Sequence, residues 1–442
     1  MSKSSSIAAA ELSAPPTFVE AVRVWARIGA LSFGGPAGQI ALMHRILVDE
    51  RRWLSERQYL SALNFCMLLP GPEAMQLATY AGWRLHGTLG GLAAGLLFVL
   101  PGAALIFALA VLYLMYGAQP LVAAAFVGIK AAVVVIVVEA LLRVARRALK
   151  QRIEWGIAAA AFVAIYALHV PFPVIILAAA LAGFLMRDTA APAVAGAGAS
   201  PVPGATVRAA AATAAVWLAI WIAPLAVMAA ALGTDHVLSQ MAWFFSKLAV
   251  VTFGGAYAVL AYMAQEVVQG YRWLQPGEML DALGLAETTP GPLILVTEFV
   301  GVIAAARSEG GVSYGLGLAG ALVTLWATFA PCFLWIFTGA PFIERLTSMP
   351  RLQAALGGVT AAVVGVILNL SLWFALHVVF KRVETVSAGP LQIALPDLAS
   401  LDVVAAALTA VAAFLLLVRH RSILLTLAVC AALAIAVAQA AA

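Results

Sequence analysis

The sequence predicts an all-α polytopic membrane protein built from two inverted-topology repeats with broken, re-entrant helices. Of its 442 residues 64% are hydrophobic and 10% charged, with mean hydropathy +1.02. Soluble chains are nearer half apolar and a quarter charged, so this composition cannot clothe a water-facing surface. The apolar stretches are continuous rather than alternating, which favours helices over a membrane β-barrel. A set of Gly/Pro motifs also returns about 220 residues further on.

Taken in order, Met1–Pro16 is Ser/Ala-rich and reads as a disordered cytosolic tail without a signal-peptide core. Phe18–Phe33 and Ala37–Val48 are interrupted by Gly34-Gly35-Pro36, and Ser55–Leu69 and Glu73–Arg84 by Pro70-Gly71-Pro72. A helix of about 14 residues is only about 21 Å long, against a hydrocarbon core of about 30 Å. Re-entrant hairpins therefore fit these segments better than full crossings. Thr88–Tyr116 and Pro120–Leu142 are uninterrupted enough to span, and Ile153–His169 and Val174–Met186 form a further pair turned at Pro171–Pro173. Asp188–Gly204 is rich in Ala, Gly and Pro, a linker composition. Apolar helices follow at Arg208–Leu232, Gly311–Thr338, Leu352–Phe380, Asp402–Val418 and Ser422–Ala440. The domain reading is tail 1–16, N-terminal repeat 17–187, linker 188–207 and C-terminal repeat 208–442, with the motif copy at 240–341.

The duplication is explicit. Phe33-Gly34-Gly35 matches Phe253-Gly254-Gly255, Arg52-Trp53-Leu54 matches Arg272-Trp273-Leu274, and Pro70-Gly71-Pro72 matches Pro290-Gly291-Pro292. The same separation pairs Gly91/Gly95 with Gly311/Gly315, which read as helix-contact faces. The basic cluster Arg143, Arg146, Arg147, Lys150 and Arg152 belongs on the cytoplasmic side. Counting spans from it puts the N-terminus in the cytoplasm and an odd number of crossings between the copies, so they are inverted. Lys381 and Arg382 fall outside on this count, against the rule.

Inverted repeats with broken helices are how many secondary transporters build a midplane site. A helix restarting after a break offers free N–H groups and the positive end of its dipole, and glycine lets a ligand approach the backbone. Four such starts would suit a small anion. The candidate substrate-binding residues are Ser32, Gly34, Gly35, Pro70, Gly71, Thr252, Gly254, Gly255, Thr288, Thr289 and Gly291, with the hydroxyls as added donors. A bland alternative is that the glycines only allow a kink or tight packing. Arg27 and Lys247 occupy equivalent positions and either draw the anion inward or snorkel to the interface. Glu73, Glu287 and Glu298 are proton-coupling candidates, because carboxylates at membrane depth are costly.

A charge of +5 is too small an excess to suggest nucleic acid, and Cys66, Cys332 and Cys430 form no metal-ligand or disulfide pattern. No nucleotide-binding or hydrolase motif occurs, so the sequence calls for no cofactor or metal and leaves an ion gradient as the energy source.

Phe33-Gly34-Gly35-Pro36-Ala37-Gly38-Gln39-Ile40, Trp53-Leu54, Leu69–Ala78 and Leu100-Pro101-Gly102, with the second-copy motifs, resemble the chromate ion transporter (CHR) family in its long two-domain form. The resemblance implies a bacterial inner-membrane protein that expels chromate using the proton motive force and confers chromate resistance. It also implies that sulfate, a dianion of similar shape, competes. The residues leave other readings open: a sulfate or other oxyanion importer, an uncoupled channel, or an intramembrane lipid-phosphate enzyme, which would need a nucleophile and base that Ser32 lacks in its motif. A homodimer is compatible with the sequence and not specified by it.

Overall fold

The computed structural model of the protein describes residues 14–185, 206–251, 253, 256–343, 346, 349–389 and 391–441. The expected tail up to residue 13 and the linker at 188–205 lie outside the described residues, as do Thr252, Gly254 and Gly255. The chain is overwhelmingly helical, and six helices are long and apolar enough to cross a membrane.

In the first repeat α1 (Phe18–Leu31), capped by Thr17, is followed by α2 (Gly35–His44) and a π-helical continuation to Glu50. α3 (Glu56–Cys66) starts at a Ser55/Gln58 capping box. α4 (Glu73–Tyr116) is two arms merged across a sharp bend, where Gly87 takes φ 62° and His86 leaves helical geometry. The arms expected at Glu73–Arg84 and Thr88–Tyr116 therefore meet without a loop. α5 (Pro120–Ala148), α6 (Arg152–Tyr166) and α7 (Phe172–Leu185) complete the half.

The second repeat follows α8 (Val207–Leu232) with α9 (Val237–Val251), α10 (Ala256–Gln265, π-helical to Gly270) and α11 (Pro276–Thr288). Next come a 3-10 turn (Leu293–Leu295), α12 (Val296–Ala306) and α13 (Tyr314–Gly339), then α14 (Pro350–Val379), α15 (Val403–Ala413, π-helical to Val418) and α16 (Ile423–Ala441). The duplication extends to backbone detail. Arg52 and Arg272, 220 residues apart, are both left-handed at φ 53° and 56°. The following N–H groups of Trp53 and Trp273 both bond at 2.8 Å, to Leu47 O and Val267 O.

Contacts show that the broken segments return to the side they left. Glu20, at the start of α1, pairs with Arg51, beyond α2, at 3.0 Å, and the Phe18 ring meets His86 at 5.6 Å. These place both first-repeat hairpins on one face. In the second repeat Glu278, at the start of α11, pairs with Arg307, after α12, at 2.6 Å. Asp235, Arg272 and Arg307 line a single cleft of about 510 Å³. The two faces are opposite, because α4 leaves the first at His86–Gly87 and ends with Tyr113 against Asp281 of α11. The repeats are inverted.

Two sequence expectations change. Gly91 and Gly95 pack tightly: an added Cβ would meet Phe337 at 2.6 Å in one case and the Thr79 hydroxyl at 2.5 Å in the other. Gly311 and Gly315 have open space around them. The reason is the turn. The second hairpin spends Arg307–Ser313 between its arms, so the structural mates of Gly90 and Pro101 are Gly320 and Pro331, and the separation grows to 230. Gly82 abuts Gly90, and Gly301 abuts Gly320, in the same way. The second change is an antiparallel hairpin, β1 (Val383–Ala388) with β2 (Leu391–Pro396), beside Lys381 and Arg382. It occupies the face where the positive-inside count placed those two charges awkwardly, and Lys381 lies 3.8 Å from Asp402.

Candidate anion site at the broken helices

α1 ends at Ser32, which is fully buried and donates its hydroxyl to Ile28 O at 2.6 Å. The chain then passes through Gly34 (φ 85°) and Gly35 (φ 69°), a conformation that disfavours any side chain. α2 restarts with Pro36 in its first turn, where a missing N–H costs nothing. Among the described residues no atom lies near where a Cβ on Gly34 or Gly35 would project, so there this restart is open.

The second repeat's other break comes to it. Gly291 (φ 93°) donates its N–H to Ser32 O at 2.9 Å. Gln39, on the first turn but one of α2, donates its amide to Gly291 O at 2.6 Å and to Ser32 O at 3.3 Å. Gln39 is 1% exposed, and its own amide oxygen has no partner among the described residues. From the other side Gly102 of α4, next to the interior Pro101, leaves room for Pro290 O. Tyr257, just after the second Phe-Gly-Gly, donates to Glu287 Oε1 at 2.7 Å, just before Thr288-Thr289-Pro290. The first Gly-Gly restart and the second Pro-Gly-Pro thus meet, and α10 is tied to the end of α11.

The first repeat's Pro70-Gly71-Pro72 is arranged on the same plan. Gln76 donates to Pro70 O at 2.6 Å and is fully buried, with its amide oxygen unpartnered among the described residues. A Cβ on Gly71 would meet this amide at 2.8 Å and Cys332 Sγ of α13 at 3.1 Å. Cys332 follows Pro331 as Gly102 follows Pro101. Each Pro-Gly-Pro therefore rests on the proline kink of the other repeat's long helix.

The hydroxyls expected as donors are turned inward. Besides Ser32, Thr288 donates to Leu285 O at 2.8 Å and Thr289 to Ala286 O at 2.9 Å. Each would have to rotate to serve a ligand. Arg27 is exposed on α1, and Lys247 lies 5.4 Å from the centre of the Tyr262 ring. Glu73 lies in the first turn of α4. Glu298 is 2% exposed, and its Oε2 has no partner among the described residues. Sequence reasoning passed over Gln39 and Gln76 because their repeat mates, Val259 and Val296, are apolar. It also passed over Asp281 and Tyr257, whose partners are remote in sequence. Among the described residues no group of three metal-ligating side chains occurs.

Inverted halves, intramembrane helix breaks and isolated buried carboxylates define the class as a multi-pass membrane transporter. The family model described as "Chromate transporter" matches residues 19–184 and 239–436. The chain is 33% identical over 379 residues to the chromate transport protein of Pseudomonas aeruginosa, covering 85% of each chain. It is 29% identical over 367 residues to that of Cupriavidus metallidurans, covering 81% of this chain and 84% of the other. A probable chromate transport protein of Synechococcus elongatus is 30% identical over 349 residues, 77% of this chain and 80% of its own. No solved structure matches. The chain belongs to the chromate transporter family.

Proposed function

We infer that this chain exports chromate across the bacterial inner membrane from a cytoplasmic N-terminus, driven by the proton motive force, with the anion held where the broken helices converge. The observation that carries this is the meeting of the first repeat's Gly34-Gly35 restart with the second repeat's Gly291 through Gln39. An open helix start, with N–H groups and the positive dipole end facing space, suits a small anion. Backbone donors read charge and shape, so sulfate should compete at the same place. Glu298, buried and with its Oε2 unpartnered among the described residues, and Glu287, bonded to Tyr257, are the coupling candidates, with Glu73 a third. The relatives are named as chromate transport proteins, which supports chromate as the substrate, and the proton gradient is the energy source in this reading.

The test is labelled chromate uptake into inverted membrane vesicles with an acidic lumen, repeated with an uncoupler and with excess sulfate. Uptake abolished by the uncoupler is the expected result. Uptake indifferent to the gradient overturns proton-linked export, and uptake of sulfate without chromate moves the substrate to another oxyanion.

A further inference from the structure

A second ionisable cluster lies away from the breaks, near the face on which the second repeat's hairpins end. Asp281, on the second turn of α11, is 3% exposed. Its Oδ2 accepts a hydrogen bond from Tyr113 of α4 at 2.9 Å and lies 3.5 Å from Lys130 Nζ of α5. Its Oδ1 is buried with no partner among the described residues. The cluster joins three helices and both repeats. α11 ends in Thr288-Thr289-Pro290-Gly291, so whatever shifts α11 against α4 and α5 shifts the break bonded to Ser32 and Gln39.

The surroundings set which way the pair can open. Gly277, one turn outward of Asp281, has no side chain, and a Cβ there would sit 3.2 Å from Lys130 Nζ. The Lys130 side chain keeps 27% of its surface exposed, against 4% for Asp281. The ammonium therefore stands on the solvent side of the carboxylate, with a free lane past Gly277. The other charged groups near the cluster are Glu278, on α11 itself, and Arg307, after α12, which are paired with each other at 2.6 Å. α16 carries no charged residue, and α12 carries only Glu298. α14 carries Arg351 and His377, and His377 bonds back to Trp373 O.

We propose that Asp281 is the group through which protons enter from the second-repeat face, with Lys130 its displaceable counter-ion and Tyr113 its positioning donor. A proton arriving from that face adds to the unpartnered Oδ1 and neutralises the carboxylate. Lys130 keeps its charge, loses its partner and turns past Gly277 toward water, where a long flexible ammonium is at home. α11 is then held to α5 by apolar contacts alone and is free to move the Pro290-Gly291-Pro292 break. When the proton leaves, the pair closes again. Breaking a buried pair by removing one partner is costly, so the closed state is firmly held until the proton arrives. This inference rests on proton-linked export, which it deepens by naming the entry group.

The experiment uses the full chain in proteoliposomes, with two measurements on labelled chromate: accumulation driven by a pH gradient, and chromate–chromate exchange at equal pH. Asp281→Asn is expected to lose accumulation and its pH dependence while keeping exchange, and Asp281→Glu to restore accumulation. If Asp281→Asn alone fails to insert, the neutral pair Asp281→Asn/Lys130→Gln, which buries no lone charge, carries the same measurements. Accumulation restored by that neutral pair would mean a purely structural ion pair and would overturn the proposal. Asp281→Asn that accumulates chromate with the wild-type pH profile overturns this inference alone. Wild-type protein that exchanges chromate but ignores the gradient overturns the coupling reading and this inference with it.

Discussion

Gln39 donates its side-chain amide to the Gly291 carbonyl at 2.6 Å, so a residue in the first repeat's restarted helix holds the break of the second. The bond is buried, and it spans 252 residues of sequence. A structural element shared by two inverted halves in this way cannot move in one half without the other. That makes it a natural place for alternating exposure of a central site.

Gln39→Leu keeps the bulk and removes the donor. It leaves Gly291 O without this bond in a buried setting, at a cost of about 1–3 kcal/mol. Transport should fall steeply while membrane insertion is unchanged, as uptake set against the amount of inserted protein will show. Wild-type flux in this variant would mean the bridge is dispensable.

Gly35→Val places a β-branched residue at φ 69°, where a side chain costs roughly 1–2 kcal/mol, although no described residue fills the space around it. The damage is to backbone geometry rather than to packing. Flux should be abolished with normal protein levels, and Gly255→Val, at the matching position of the second copy, should behave alike. Retained transport in both would refute the broken-helix site.

Gly102→Val acts by collision. The new side chain would be driven into Pro290 O, and overpacking of this kind costs typically 1–3 kcal/mol. Here both thermal stability and flux should drop. A thermal-shift assay in detergent and uptake set against the amount of inserted protein check the two effects.

Glu298→Gln replaces a buried carboxylate, whose Oε2 has no partner among the described residues, by a neutral isostere. Removing a buried charge with no counter-ion among them relieves a costly burial, so stability should hold or rise. If Glu298 carries the transported proton, chromate uptake becomes independent of pH. An unchanged pH profile would remove Glu298 from the coupling path and leave Glu287, Glu73 and Asp281.

Much of this was legible in the sequence, and the physics explains which parts. Helix breaks announce themselves locally, through Gly34-Gly35 and Gly71, Gly291 between prolines. The short arms around them could not span, so the re-entrant hairpins followed from length alone. The Gly311/Gly315 assignment failed because a constant separation ignores turn length, and the longer Arg307–Ser313 turn moved the contact partner of Gly301 to Gly320. The β1–β2 hairpin escaped notice because its two six-residue strands lie between apolar helices that dominate the local pattern. Ser32, Thr288 and Thr289 were correctly placed at breaks, but a hydroxyl's direction is decided by the nearest free carbonyl at a helix end. Gln39, Tyr257, Asp281 and Lys130 gain their meaning only from partners in the other half.

Equilibrium binding of labelled chromate to detergent-purified protein tests the central claim most directly, since it needs no gradient and no intact cycle. Wild-type protein and Gly35→Val would be measured side by side, each with and without excess sulfate. A broken-helix anion site requires saturable binding to the wild type, displaced by sulfate and lost in Gly35→Val. Chromate bound equally well by the folded variant would place the anion elsewhere in the protein and contradict the account.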